Sequence, residues 1–200
     1  MNGPKGYSHD RILKNFPKHG AVNITRHRAG VIQNLYDLAT EVSKKCEINS
    51  DCHIAEIGAN QEQSIQLIFD KATIRRFDLH PKVDGIEEID ISKPPPKDLR
   101  GKFDIVTAIE LIEHVFDVFK AVKNLSMLAK PKGGMIVLST PFCYHLHTDK
   151  KNRVKDYWRF SQECLEELFS AHCQKVRVKA ITDECCNAHL PWGYFTIAEK

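Results

Sequence analysis

No apolar run in this 200-residue chain reaches the length needed to cross a bilayer, and the opening residues, Met1-Asn-Gly-Pro-Lys-Gly6, lack the apolar centre of an export signal. An excess of one charge is missing as well. The formal net charge is +3, too small on its own to argue for a nucleic-acid partner. Seven cysteines, at 46, 52, 143, 164, 173, 185 and 186, are odd in number and include no C-x-x-C. That argues against a disulfide framework or a zinc finger, and for free thiols in a reducing cytoplasm. Internal repeats are absent. Glycine is scarce where a dinucleotide site would need it: Glu56-Ile-Gly-Ala-Asn-Gln-Glu62 offers only Gly58 against the three glycines of G-x-G-x-x-G, which counts against an NAD enzyme. What is present, 42% apolar and 28% charged residues, is the composition of one globular domain with a full core.

Residues 1–24 carry Gly, Pro and Lys without a period and read as a loose arm; residues 25–200 read as a single domain. Helical spacing of Val31, Leu35, Leu38, Ala39 and Val42 predicts a helix over 25–46. Short strands are expected at 53–57, 73–79, 86–91, 103–109, 135–139, 176–180 and 194–198. Helices are expected at 65–69, at 113–129 with Val115, Val118, Phe119, Val122, Leu125 and Leu128 inward, and after Ser161 as N-cap. Strands alternating with helices predict an α/β fold: a Rossmann-like, doubly wound, seven-stranded, mostly parallel sheet with helices on both faces.

In such a sheet ligands bind beyond the carboxyl ends of the strands. The 103–109 strand ends there in Glu110, Glu113 and His114. A helix starting near Leu111 would put all three on one side, where two carboxylates and an imidazole, with His145 or His147 completing the shell, form a candidate site for a divalent metal. Asp78, ending the second strand, can accept bonds from ribose hydroxyls, and Asp90, ending the third, can meet an adenine edge. The segment from Thr140 to Tyr157 is the longest irregular stretch and is rich in His, Lys and Asp, a length uncommon for a loop without function. It holds His145 and His147, suited to removing a proton near neutral pH, and leads to Asp156-Tyr-Trp-Arg-Phe160, where Arg159 either forks an anionic group or pairs with a local acid.

Order and spacing from Ile54 to Phe160 resemble the class I S-adenosylmethionine-dependent methyltransferases. Glu56-Ile-Gly58 resembles their first motif, Phe103-Asp-Ile-Val106 and Glu113-His-Val115 their fourth strand and the turn after it, and Lys130-Pro-Lys-Gly-Gly-Met-Ile-Val-Leu-Ser-Thr-Pro141 their fifth-strand signature with one added lysine. Pro141-Phe142, His147 and Asp156 to Ser161 resemble a narrower group found among bacterial surface-glycan and nucleotide-sugar genes. The resemblance implies S-adenosylmethionine held by Glu56, Gly58, Ala59, Asn60, Asp78, Asp90, Ala108 and Ile109. It implies a catalytic set of His147, Glu110, His114 and Arg159, and O-methylation of a small polar acceptor such as a sugar or nucleotide-sugar. Two departures stand out: Asn60 and Glu62 replace the motif's further glycines, and the interval from His147 to Asp156 is longer than in the group. The first motivates an alternative, a catalytically silent methyltransferase-like scaffold. The E-x-x-E-H spacing motivates another, metal-assisted methylation of RNA 2′-hydroxyls, against which the small net charge argues.

Overall fold

The computed structural model describes residues 26–45, 48–59, 64–146, 148, 154–182 and 189–200. The 1–24 arm, Asn60, Glu62 and His147 lie outside the described residues. Strands β1 (His53–Ile57), β2 (Thr73–Asp78), β3 (Ile86–Glu88), β4 (Ile105–Ile109), β5 (Met135–Pro141), β6 (Lys175–Ile181) and β7 (Gly193–Glu199) form one sheet in the order β3-β2-β1-β4-β5-β7-β6. The pairings from β3 to β5 are parallel, while β7 runs antiparallel to both β5 and β6. This seven-stranded, mostly parallel, doubly wound sheet is the class I methyltransferase fold expected from the sequence.

Strand alternation divides the core between two faces. Ile54, Ile105, Val137 and Phe195 pack with helices α1 (Arg26–Lys45) and α2 (Ser64–Ile68). Their neighbours Ala55, Val106, Ile136 and Tyr194 pack on the other face with α3 (Val118–Leu128) and α4 (Gln162–Ser170). Burial on both faces is why β1, β4 and β5 read as continuous apolar runs. No helix among the described residues is long and apolar enough to cross a membrane.

Three expectations are corrected. The helix expected from Glu113 begins only at Val118, because Glu110 takes a left-handed φ of 51°, Ile112–His114 form a single 3-10 turn, and Asp117 caps the true start by accepting from Lys120 N at 3.1 Å. The helix phase then follows Val118, Ala121, Val122, Leu125 and Leu128, which turns Phe119 outward to 72% exposure. The third strand stops at Glu88, so Asp90 sits in the turn beyond it. Its Oδ1 accepts from the backbone N of Ser92 at 3.0 Å, a side-chain closure that competes with further strand.

Candidate functional site

Strand order reverses between β1 and β4, and the cleft outside their carboxyl ends is where an open α/β sheet takes a ligand. On its β1 side the chain turns at Gly58, whose φ of 78° favours glycine and where an added Cβ would stand 2.9 Å from Leu111 Cδ1, so that the leucine would have to shift. The N–H groups of Gly58 and Ala59 donate to the carbonyl of Phe77 at 2.8 and 2.9 Å. Those two donors are therefore engaged within the protein and not aimed at an anion, unlike the backbone cradle of a phosphate site. Glu56 is buried and accepts from Arg76 Nε at 2.8 Å. Burial raises its pKa, against the lowering effect of the Arg76 bond and charge. Asp78, at the end of β2, accepts from His80 N through Oδ1 at 2.7 Å. Asp90 holds Ser92 and, at 3.1 Å, Lys93; the Ser92 bonds chiefly keep its carboxyl below the usual range. Ala108 is fully buried on the α3 and α4 face, and Ile109 packs toward α1, so Ala108 can meet a ligand only through its backbone.

On the β4 side Glu110 is held in place by β5. Its N–H donates to Ser139 O at 3.1 Å, and Ser139 Oγ donates to its carboxylate at 2.5 Å. A non-glycine residue at positive φ costs on the order of 1–2 kcal/mol, and such strain persists where the surroundings fix it, typically at functional sites. Three residues on, Glu113 has no exposed surface, and neither carboxyl oxygen has a hydrogen-bond partner among the described residues. Burial first, then the neighbouring Glu110 and Asp156, push its pKa well above the ordinary carboxylate range. His114 Nδ1 donates to the carbonyl of Lys155 at 2.8 Å, which leaves Nε2 as the proton-accepting nitrogen of the neutral ring.

The irregular segment after β5 is fastened to this turn. Tyr157 N and Trp158 N donate to Glu113 O at 2.8 and 3.3 Å, and Trp158 Nε1 donates to Val115 O at 3.0 Å. Arg159 grips Asp156 bidentately at 2.6 and 2.7 Å and donates to the carbonyls of Trp158 and His145 at 2.7 and 3.1 Å. Its guanidinium ties residues 145 and 156–159 together, which is the local-pair reading of the two that the sequence left open. His145 stacks on Tyr144 with ring centroids 4.3 Å apart.

The structure thus brings Gly58, Asp78, Asp90, Glu110 and His114 to the carboxyl side of the sheet. The expected ion site of Glu110, Glu113 and His114 does not form. Among the described residues no three His, Cys, Asp or Glu side chains are grouped to share a metal. With no helix after Leu111 the assumed common face is gone: Glu110 turns to Ser139, Glu113 is sealed inside, and His114 Nε2 stands 3.7 Å from Glu113 Oε1. His147, one of the two fourth ligands expected, lies outside the described residues. Sequence reasoning missed Ser139 and Leu111. A polar Ser139-Thr140 pair ending an otherwise apolar strand was the available signal for the first.

A family model described as a methyltransferase domain matches residues 35–188. Among solved structures, the CurJ carbon methyltransferase is 14% identical with a TM-score of 0.61 over 82% of this chain, which spans 53% of it, about half its length. A Burkholderia thailandensis 1,6-didemethyltoxoflavin-N1-methyltransferase, solved with 1,6-didemethyltoxoflavin and S-adenosylhomocysteine, is 13% identical, with a TM-score of 0.58 over 100% of this chain and 93% of that one. A structure named as a putative zinc-dependent alcohol dehydrogenase from Rhodobacter sphaeroides is 17% identical, with a TM-score of 0.59 over 82% and 88%. Identities this low carry the fold and not the reaction. No curated protein matches the chain.

Proposed function

The chain belongs to the methyltransferase-domain family, and we propose that it is an S-adenosylmethionine-dependent enzyme that methylates an oxygen of a small polar acceptor, a sugar or nucleotide-sugar. The observation that carries this reading is the set at the carboxyl ends of β1, β2 and β4: Gly58 in a tight turn, Asp78, and Glu110 held at positive φ by Ser139. When bound, the cofactor supplies a methyl group activated by its sulfonium. The residues suit it. The turn donors at Gly58 and Ala59 are closed to a phosphate, which this cofactor lacks, and Asp78 Oδ2 remains to accept from ribose hydroxyls. In this reading Asp90 serves the adenine side and Glu56 and the backbone of Ala108 and Ile109 the methionine side, with Asn60, which lies outside the described residues, assigned to the methionine side from the sequence alone. Transfer to oxygen then needs the acceptor held in line and its proton removed. His147 is the assigned base. His114 is the second candidate, with its tautomer fixed by the Lys155 carbonyl, and Arg159 positions the loop that carries the acceptor wall.

The acceptor class rests on the 141–161 segment alone. A silent scaffold is the second reading, favoured by the Glu56–Arg76 pair, which engages the carboxylate nearest the turn. Calorimetric titration decides between them. Binding of S-adenosylmethionine and S-adenosylhomocysteine near one per chain, lost in Asp78→Ala, is expected. No heat with either at millimolar concentration would leave the scaffold. Methyl transfer to sugars or nucleotide-sugars, assayed with labelled cofactor, tests the acceptor separately.

A further inference from the structure

The turn after β4 and the segment fastened to it carry a group of rings that the transfer step itself does not use. Phe116, two residues past His114, is 71% exposed, and Tyr157 and Trp158 are partly exposed. The group is built, not loose. Phe116 meets Tyr157 edge to face with centroids 5.3 Å apart. Trp158 lies on the buried Phe160, with centroids 6.1 Å apart and planes 27° apart, and its indole N–H is spent on Val115 O. The amides of Tyr157 and Trp158 donate to Glu113 O, and the His114 ring donates to Lys155 O. The rings therefore stand at a fixed height beside the imidazole. A single exposed apolar residue needs no explanation, but a rigid group of aromatics at a candidate site does.

The polar groups around the rings narrow what they meet. Each hydroxyl of a sugar donates as well as accepts, so a free sugar needs acceptors from the protein. Among the described residues the nearby carboxylates are already engaged or sealed. Asp117 pairs with Lys120 at 2.7 Å and caps α3, Asp156 is gripped by Arg159, Glu110 takes the Ser139 hydroxyl, and Glu113 has no exposed surface. With those pairs cancelled, the charge left beside the rings is that of Lys155, exposed and two residues before Tyr157. Open ring faces next to an uncancelled cation suit a ligand that is flat and aromatic at one end and anionic beyond it. A free sugar has neither part, and a sugar phosphate lacks the flat one.

We propose that this corner is a nucleoside-diphosphate site: the base lies against Phe116 and Tyr157, the diphosphate meets Lys155, and the linked sugar reaches the cleft at His114. Its role as an acceptor site rests on the methyltransferase reading above, and narrows the acceptor there to a nucleotide-sugar. Binding energy collected on a base and diphosphate remote from the reacting hydroxyl is of the kind that raises turnover by fixing position.

The test is calorimetric titration of the full chain with ADP, GDP, CDP, UDP and thymidine diphosphate, and with glucose-1-phosphate, each with and without S-adenosylhomocysteine, which is also titrated alone. At least one nucleoside diphosphate should bind near one per chain and more tightly than glucose-1-phosphate. Phe116→Ser should weaken that binding about tenfold, with the melting temperature unchanged because the side chain is exposed. Lys155→Glu should weaken it as well and reduce its dependence on salt. Both variants should bind S-adenosylhomocysteine as wild type does. The proposal is overturned if no nucleoside diphosphate binds, if glucose-1-phosphate binds equally well, or if Phe116→Ser binds as tightly as wild type. It is overturned too if that variant instead abolishes a dimer seen by light scattering. The methyltransferase reading fails separately: a nucleoside diphosphate that binds through Phe116 to a chain blind to S-adenosylhomocysteine keeps the site and removes its role in methyl transfer.

Discussion

Glu113 offers the sharpest quantitative test, because it sets a carboxyl fully out of water with no hydrogen-bond partner among the described residues. Its pKa is raised by burial and by Glu110 and Asp156, so the folded protein keeps a proton that the unfolded chain releases near its ordinary value of 4.5. Between those two values the native state binds more protons than the unfolded state, and stability falls as pH rises. The slope is about 1.4 kcal/mol per pH unit, and the loss is complete once the pH passes the folded value. Glu113→Gln keeps the shape and polarity but cannot ionise. At pH 4 the variant should match wild type; above that it should become progressively more stable. For a chain this size each kcal/mol is worth about 3 °C in melting temperature, so the variant gains about 4 °C per pH unit within the window. Differential scanning calorimetry of both proteins at pH steps from 4 to 8 measures this directly. Equal melting temperatures across the range, or a variant less stable at neutral pH, would refute the reasoning and mean that the carboxylate is charged and partnered. A buried group left in this condition beside Glu110 is also the kind of local inconsistency that folds tolerate at working sites. Activity lost alongside the gained stability is the expected companion result.

Other positions carry distinct expectations. Gly58→Ala forces a side chain onto a positive φ and onto Leu111, so it should cost about 1–2 kcal/mol and weaken cofactor binding well beyond tenfold, read by thermal melt and calorimetric titration. Asp156→Asn removes the charge that Arg159 grips while its bonds to the Trp158 and His145 carbonyls remain; about 1–3 kcal/mol should be lost, and limited proteolysis should begin cutting near residues 145–159. Ser139→Ala removes the bond to Glu110 and should lower turnover more than it lowers stability, which is expected to change by about 1 kcal/mol, the usual worth of one hydrogen bond. By contrast Glu87→Gln, which breaks the exposed Arg75 pair, should change stability by less than about 1 kcal/mol in chemical denaturation.

The sheet was legible because its central strands are buried on both faces. Ile54-Ala55, Ile105-Val106 and Ile136-Val137 each supply one side chain to either layer, and no other element reads as so short an apolar run between turn residues. Gly58 was legible because it follows such a run, and Asp78 because it closes the second strand. The region after β4 was not. Nothing in Glu110-Leu-Ile-Glu-His114 announces a left-handed φ, since the usual marker is glycine, and the resulting kink delays the helix until Asp117 can cap it. Phe119 then misled by composition: it sits next to Val118 in a stripe that the true helix phase carries through Ala121 and Val122 instead. The partner of Glu110 comes from a strand 29 residues away, a separation across which a single sequence carries no pairing signal.

The hydrogen bonds that fasten residues 155–158 to the turn after β4 use mostly peptide groups: the amides of Tyr157 and Trp158 and the carbonyls of Glu113, Val115 and Lys155, with the His114 ring, the indole and the Phe116–Tyr157 ring contact contributing from side chains. A joint built from the main chain is indifferent to most substitutions along it. This segment, proposed above as the acceptor wall, can exchange its side chains through descent, or in a designed library, while its height above the sheet is preserved. Only an edit to the backbone itself, such as proline at 157 or 158, unpicks it. Under the proposed function, differences between relatives along this stretch would then reflect the acceptor more than the fold's own demands.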